Sequence, residues 1–302
     1  MSTVSPPIPD DLLRVSDLEA ESLAALLDLA ADMKTRPHGF VEALRGDTLV
    51  CFFEKPSTRT RVSFAAAAER LGMFPLLIRP DELQLGRGET VEDTARTLSG
   101  YAQAIVIRTF AQETVERIAA AAKAPVINAL TDDHHPCQAL ADLLTLRERF
   151  GRLEGLRVAY VGDGNNVATS LVEAGALAGM DVVVACPPGY EPRVDGARVV
   201  HDPREAVADA DAVYTDVWVS MGEESEREER IRTMEPYRVD QALMAAARAD
   251  TVFMHCLPAH RGEEVTADVI DGPQSVVWQQ AENRLPTEEA LLLALVSRRW
   301  KA

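Results

Sequence analysis

Hydroxyl and guanidinium side chains cluster in one short segment of this chain, Ser57–Arg61, which reads Ser-Thr-Arg-Thr-Arg. The segment follows an apolar run, Leu49–Phe53, that predicts a strand, and it precedes a helical pattern over Val62–Leu71. Where a strand turns into a helix, several backbone N–H groups converge and the helix dipole favours an anion. A guanidinium can also bind two phosphate oxygens at once. The turn therefore predicts a phosphate site, and the alternative is an N-capping cluster with two solvated arginines.

An arginine and a histidine-containing motif each follow a predicted strand in the first half of the chain. Arg108 directly follows the apolar run 104–107, and His134–Gln138 (His-His-Pro-Cys-Gln) follows the predicted strand 125–128. The proline suits the first turn of the long helix that begins there. Because a helix N-terminus disfavours positive charge, His135 is suited to donate a hydrogen bond as a neutral ring. A solvated arginine and a capping histidine without chemistry are the alternatives.

A glycine turn in the second half, Gly162–Asn166, resembles a dinucleotide-binding turn only superficially. It follows the predicted strand Arg157–Val161, but Val167 and Ala168 stand near the place of the third glycine. The next predicted strand also ends without an acidic residue for a ribose hydroxyl. A nicotinamide cofactor is therefore not expected, although the two asparagines could offer amide groups to a polar ligand.

Three other candidate residues lie at the ends of predicted elements. Asp216 ends a predicted strand and opens a glycine-bearing loop. Cys256 ends another strand, within His255–Pro258 (His-Cys-Leu-Pro), and Arg284 precedes the last predicted helix. A lone buried cysteine is usually inert packing. Its position at a strand end before a proline turn favours a functional role instead.

Composition excludes several classes of protein. The 302 residues include 48 acidic and 31 basic side chains, so the net charge of −17 disfavours binding to nucleic acid or to an anionic membrane. No apolar run is long enough for a membrane span, and no early run resembles a signal peptide. No two of the four cysteines have the spacing of metal ligands, which predicts reduced thiols in a cytoplasmic protein.

Short apolar runs alternate with amphipathic helical patterns along nearly the whole chain. This alternation predicts an α/β fold of two doubly wound, parallel-sheet domains, 1–148 and 149–302, joined by a long connecting helix. Other predicted elements are a helix over 239–249, a short strand over 275–277 and a last helix over 287–298. Sites in such sheets gather at the carboxyl ends of the strands, where the candidate residues fall.

From about Leu12 onward, these motifs resemble, in order and spacing, those of the aspartate/ornithine carbamoyltransferase family. Ser57–Arg61 and His135–Gln138 match the half that the whole family shares. Asp216–Gly222, with its Ser-Met-Gly, and His255–Pro258 match the members that act on ornithine. The resemblance implies transfer of a carbamoyl group from carbamoyl phosphate to L-ornithine, giving L-citrulline and phosphate. Arginine biosynthesis is the expected role, and the arginine-degrading direction is the open alternative. It also implies a homotrimer or a multiple of trimers, and a last helix, about 286–299, that packs on the first domain.

The resemblance assigns roles residue by residue. It implies carbamoyl-phosphate binding by Ser57, Thr58, Arg59, Thr60, Gln84, Arg108, His135, Gln138, Cys256, Leu257 and Arg284. It implies ornithine binding by Asn166, Asp216, Ser220 and Met221. Arg108, His135 and Cys256 would be the catalytic residues, the first two polarising the carbonyl oxygen and Cys256 orienting the amine. Gln84 would reach the site of a neighbouring subunit.

The chemistry agrees with these roles. A neutral amine attacks a carbonyl carbon, an oxyanion develops, and phosphate leaves, so fixed cationic donors are the largest expected contribution. No metal or organic cofactor is required, and none is expected. Two alternatives stay open: a carbamoyltransferase for another amine, such as lysine, putrescine or a modified ornithine, and a catalytically inactive binding paralogue.

Overall fold

The computed structural model describes residues 8–82, 88–219 and 227–299. The strands are β1 (Thr48–Phe53), β2 (Phe74–Ile78), β3 (Ala104–Arg108), β4 (Val126–Leu130), β5 (Arg157–Val161), β6 (Asp181–Ala185), β7 (Arg198–Val200), β8 (Ala212–Thr215) and β9 (Val252–His255). The α-helices are α1 (Ala20–Thr35), α2 (Arg59–Arg70), α3 (Val91–Ser99), α4 (Gln112–Ala121), α5 (Pro136–Phe150), α6 (Asn166–Ala178), α7 (Pro203–Val207), α8 (Arg227–Met234), α9 (Gln241–Met244), α10 (Ala267–Ile270), α11 (Val277–Glu282) and α12 (Arg284–Arg299). Short 3₁₀ helices cover Val15–Asp17, Pro80–Glu82 and Glu235–Tyr237.

The described residues divide into two compact units. The first unit comprises Met1–Leu144 with Asn283–Ala302, and the second unit comprises Thr145–Glu282. The division falls inside α5, which therefore connects the two, and α12 belongs with the first unit. None of the helices in the described ranges is both long and apolar enough to cross a bilayer.

The sheet of the first unit contains four parallel strands in the order β2-β1-β3-β4. All five residues of β3 are buried, as expected for a parallel strand covered on both faces. The chain pairs β1 with β2 on one side and with β3 on the other, so the strand order reverses between β1 and β3. At the carboxyl end of this pair, Phe53 stands opposite Arg108 in the register. This reversal point is where ligands bind in open α/β sheets.

The sheet of the second unit contains five parallel strands in the order β7-β6-β5-β8-β9. Here the order reverses between β5 and β8, whose register pairs Tyr160 with Tyr214. The Thr215 hydroxyl donates to the Val161 carbonyl at 2.6 Å and ties the carboxyl ends of the two strands together. Together, the two parallel sheets confirm the predicted fold class.

The last helix packs against α1 and α2 within the first unit. The Lys34 ammonium donates to the Asn283 side-chain oxygen at 2.6 Å, and Arg70 pairs with Glu289 at 3.1 Å. The helix begins at Arg284, three residues earlier than the sequence pattern predicts. This difference places Arg284 in the first turn of the helix rather than in a preceding loop.

Two predictions in the second unit are wrong. The predicted helix 239–249 is reduced to α9, because Val239 forms a parallel bridge with Val265 and the Asp240 carboxylate caps the helix by accepting from the Leu243 N–H at 2.8 Å. The predicted strand 275–277 is an isolated bridge at Ser275, after which α11 begins. The sequence pattern also missed β7 and α8, since β7 has three residues and α8 is strongly polar.

Candidate active site

The Ser57–Arg61 turn follows β1 after three residues, and α2 begins within it, at Arg59. Its Ser57 hydroxyl accepts the backbone N–H of Thr60 at 3.3 Å, which closes the first turn of the helix. The Thr58 side chain, at the N-cap position, forms no capping hydrogen bond. Thr58 and Arg59 are exposed, whereas Thr60 is buried. The turn therefore presents an accessible helix N-terminus, a hydroxyl and a guanidinium at one point, the combination that binds a phosphate.

Arg108 lies beside this turn because β3 is the neighbour of β1. The backbone of the two segments is joined, since the Glu54 N–H donates to the Arg108 carbonyl at 2.8 Å. The Arg108 side chain is largely buried, with 9% of its residue surface exposed. A guanidinium in a partly desolvated position acts more strongly on a bound anion than one in water.

His135 immediately precedes α5 and is buried. Burial lowers the pKa of His135 well below its ordinary value, and the positive charges of Arg284, Arg108 and Arg59 lower it further. The ring is therefore neutral at physiological pH. A neutral imidazole among arginines can donate one hydrogen bond to a carbonyl oxygen and adds no further positive charge to the site.

We expect the His135 ring to stay neutral throughout the working range of the protein. Because its pKa lies well below 6.5, its imidazole ¹⁵N resonances should not move between pH 8 and pH 6. The unfolded chain binds a proton near pH 6.5, so this residue makes the folded state less stable as the pH falls below that value. A His135 titration near pH 6.5 in the folded protein would contradict its assignment as a neutral donor.

Arg284 and Gln138, both predicted to bind carbamoyl phosphate, form a buried network with Thr60. Arg284 donates through Nη1 to the Gln138 side-chain oxygen at 2.9 Å and through Nη2 to the Thr60 hydroxyl at 3.2 Å. Gln138 in turn donates to the Asp142 carboxylate at 2.8 Å. Glu288, one turn further along α12, accepts two more hydrogen bonds from Arg284. The structure thus brings these predicted residues together beside the Ser57–Arg61 turn.

Asp216 is the centre of a second cluster, in the second unit. It is buried and accepts hydrogen bonds from the Asn165 amide at 2.9 Å and from the Cys256 thiol at 2.8 Å. Asn165 also caps α6, accepting the N–H groups of Val167 and Ala168. These bonds fix a carboxylate at the carboxyl end of β8, beside the reversal point of the sheet.

Asn165 supports the Asp216 carboxylate, a role that the sequence reasoning missed: it considered the asparagine pair as possible ligand groups and assigned ornithine binding to Asn166 alone. Asn166 is the first residue of α6, and Asn165 is the cap that bonds Asp216. The Tyr160 hydroxyl donates to the Asn165 side-chain oxygen at 3.1 Å, so β5 supports the same cluster. Burial raises the pKa of Tyr160 well above its ordinary value, and the nearby Asp216 contributes, so the phenol stays protonated as a donor. The high propensity of asparagine for the helix N-cap position was the sequence signal that could have identified Asn165.

The turn after β9 carries Cys256 and Leu257 in a fixed conformation. Leu257 has a φ of 59°, a left-handed conformation that is rare for a residue with a bulky side chain. Its N–H donates to His255 Nδ1 at 2.8 Å, and this bond places the ring hydrogen of His255 on Nε2. The Nε2 then donates to the buried Glu264 at 3.3 Å. Glu264 is a second supporting residue that the sequence reasoning missed.

Asp216, His255 and Cys256 have ligand atoms within 4.8 Å of one another, as a metal site would. The thiol of Cys256, however, donates to Asp216, and His255 Nδ1 accepts the Leu257 N–H. The three side chains thus support each other and the turn by hydrogen bonds.

Three of the predicted site residues, Gln84, Ser220 and Met221, lie outside the described residues.

Comparison with known proteins agrees with this arrangement. Residues 10–148 match the family model described as "aspartate/ornithine carbamoyltransferase, carbamoyl-P binding domain", and residues 154–295 match the corresponding "Asp/Orn binding domain". The ornithine carbamoyltransferase of a Parafrankia species is 54% identical over 298 residues, covering 93% of this chain and 94% of the relative. The anabolic ornithine carbamoyltransferase of Pyrococcus furiosus is 50% identical over 301 residues, covering 93% and 95%.

A solved structure extends the similarity to the fold. The crystal structure of ornithine carbamoyltransferase from Thermus thermophilus superposes with a TM-score of 0.90 at 46% identity, covering 96% of this chain and 100% of that one. The two family models match successive parts of the chain, and the relatives are at least 50% identical over nearly its full length. The fold is shared as well. The chain belongs to the aspartate/ornithine carbamoyltransferase family.

Proposed function

We propose that this protein transfers the carbamoyl group of carbamoyl phosphate to the side-chain amine of L-ornithine, giving L-citrulline and phosphate. The observation that carries the proposal is the chemistry of the two strand-end clusters. One surrounds a neutral histidine with arginines, and the other fixes a buried carboxylate. The first suits a phosphorylated carbonyl compound, and the second suits an ammonium group. The ornithine carbamoyltransferases that this chain resembles support the same choice.

In this proposal, the first cluster binds carbamoyl phosphate. The phosphate lies at the turn of Ser57, Thr58, Arg59 and Thr60, and the carbonyl oxygen faces Arg108 and His135. As the amine attacks, a C–N bond forms and the carbonyl oxygen takes on negative charge, which these two donors stabilise. The C–O bond to phosphate then breaks as the amine nitrogen loses a proton to the phosphate, and the guanidinium of Arg59 neutralises the departing dianion.

The second cluster binds ornithine in this proposal. Asp216 pairs with the α-ammonium group of ornithine. The amino-acid end of ornithine also contacts Asn166, Ser220 and Met221. Leu257 lies near the other substrate, carbamoyl phosphate. Cys256 donates its hydrogen to Asp216 at 2.8 Å, a bond that suits an orienting thiol better than a base. The attacking amine must lose a proton before it reacts, since a lysine-like ammonium has a pKa near 10 in water.

We further propose a homotrimer of the chain. Two large apolar side chains of β2, Phe74 and Leu76, are exposed on the edge strand of the first sheet, and Val62 of α2 is exposed as well. Exposed apolar patches of this kind mark protein interfaces. Gln84 would then complete the site of a neighbouring subunit.

We also propose a cytoplasmic, biosynthetic role. All four cysteines lie in the described residues and none forms a disulfide, which fits a reducing compartment. The anabolic Pyrococcus furiosus relative supports the biosynthetic direction.

An acceptor-specificity assay tests the proposed reaction directly. With carbamoyl phosphate in excess, ornithine should be carbamoylated with a kcat/KM far above those for lysine, putrescine and aspartate. The reason is that the amino-acid end of the proposed site contacts the α-carboxylate, which putrescine lacks, while the side-chain length selects ornithine over lysine. A preference for any other of these amines would overturn the acceptor assignment. Carbamoyl-phosphate binding without transfer to any amine would indicate an inactive paralogue.

A further inference from the structure

Glu288 is a buried carboxylate that has no role in the assignments made above. It lies on α12, one turn after Arg284, with 1% of its residue surface exposed. Its Oε1 atom accepts from Arg284 Nε at 3.1 Å and from Nη2 at 2.7 Å. A single carboxylate oxygen thus holds one edge of the guanidinium.

The rest of the guanidinium points to two residues of the carbamoyl-phosphate half. Nη1 donates to Gln138 at 2.9 Å, and Nη2 donates to Thr60 at 3.2 Å. Because the guanidinium is planar and rigid, fixing its Nε edge also fixes the direction of these two bonds. Gln138 can accept from Arg284 only through its oxygen, so its NH₂ group faces Asp142, to which it donates at 2.8 Å. The orientation of the Gln138 amide therefore follows from that of Arg284.

Charge adds a second reason for this carboxylate. A buried guanidinium is costly unless a counter-charge accompanies it. Arg284 lies close enough to His135 to lower the pKa of that ring, as Arg108 and Arg59 also do. Glu288 balances one of these positive charges from within the same helix.

We infer that Glu288 is a positioning residue for carbamoyl-phosphate binding, which holds Arg284 in the orientation that aligns Gln138 and Thr60. The inference rests on the proposed function, because the ligand concerned is carbamoyl phosphate. It assigns no contact between Glu288 and the substrate.

The inference predicts a pH dependence. Burial raises the pKa of Glu288 to about 7, and the attraction of Arg284 and the nearby Ser63 hydroxyl on α2 oppose that rise. Other ionisable groups lie nearby. The thiols of Cys51 on β1 and Cys137 on α5 stay neutral because burial raises the pKa of both, whereas Arg61 on α2 and Asp142 on α5 contribute charge to the same cluster. Lowering the pH from 8 to 6 should therefore protonate Glu288, loosen Arg284 and weaken carbamoyl-phosphate binding.

Calorimetric titration of the whole protein with carbamoyl phosphate tests the inference. Glu288→Gln should raise the Kd about ten- to a hundredfold at pH 8, the value of a lost charge-assisted hydrogen bond. The difference from the unmodified protein should shrink towards pH 6, where its own Glu288 is protonated. Glu289→Gln is the matched control, since that neighbouring buried carboxylate pairs with Arg70 on the other side of the helix and its loss should leave the Kd unchanged.

An unchanged or lower Kd for folded Glu288→Gln would overturn the inference, since a lower Kd would mean that Glu288 competes with the substrate for Arg284. If this variant does not fold, Glu288→Asp keeps the charge but is one methylene shorter and cannot hold both Nε and Nη2. A Kd for Glu288→Asp equal to that of the unmodified protein would likewise overturn the inference, and a raised Kd would support it. Failure of the unmodified protein to bind carbamoyl phosphate would instead refute the proposed function.

Discussion

Replacing Arg59 with alanine should lower kcat/KM for carbamoyl phosphate by about 100- to 1,000-fold, the usual cost of removing one fixed donor from a developing charge. Arg59 is exposed at the first position of α2, so the substitution removes little packing. The Arg59 guanidinium is therefore accessible to a phosphate group that binds at the turn. The loss should therefore be catalytic, with the thermal unfolding midpoint nearly unchanged.

Arg70→Ala is the matched control for this substitution. Arg70 occupies the opposite end of the same helix and pairs with Glu289 at 3.1 Å. Steady-state kinetics of the two variants show whether loss of the charge at the turn lowers kcat/KM. Their melting curves show whether either substitution destabilises α2. Near-normal turnover in folded Arg59→Ala would remove Arg59 from the phosphate site.

Asp216→Asn should raise the KM for ornithine strongly while changing carbamoyl-phosphate affinity little. If Asp216 pairs with the α-ammonium, the substitution leaves a desolvated cation without its counter-charge, which costs about 2–5 kcal/mol, on the order of 30-fold or more in binding. The asparagine can still accept from Asn165 with its oxygen, and its NH₂ group can face the Cys256 sulfur. The local hydrogen bonds therefore survive, and the charge alone is removed.

Asp211→Asn provides the control, because Asp211 is a buried carboxylate just before the opposite end of β8 and accepts the Arg157 N–H at 2.9 Å. It should alter stability without a selective effect on ornithine. Because putrescine lacks only the α-carboxylate and keeps an ammonium group at the matching position, folded Asp216→Asn should bind putrescine more weakly as well. Unchanged ornithine kinetics combined with a collapse of carbamoyl-phosphate binding would assign Asp216 to the other substrate.

The fold could be predicted from local sequence patterns because each signal is short-range. An apolar run such as that of β3 predicts a buried parallel strand, and the polar residue that ends it, Arg108, marks the carboxyl edge of the sheet. The Ser57–Arg61 turn and Asp216 were identified in the same way. The elements β7 and α8 escaped because a three-residue strand and a strongly polar helix carry too little apolar periodicity.

The sequence by itself therefore determined the α/β class, the strand ends and the residue types that gather there. Only the tertiary structure decided which side chains support them. Asn165 bonds Asp216, and Glu288 bonds Arg284, which in turn contacts Gln138, 146 residues away along the chain. The physical reason is that a hydrogen bond depends on distance and direction in space, and segments far apart in sequence acquire these only when the sheet and its helices have packed.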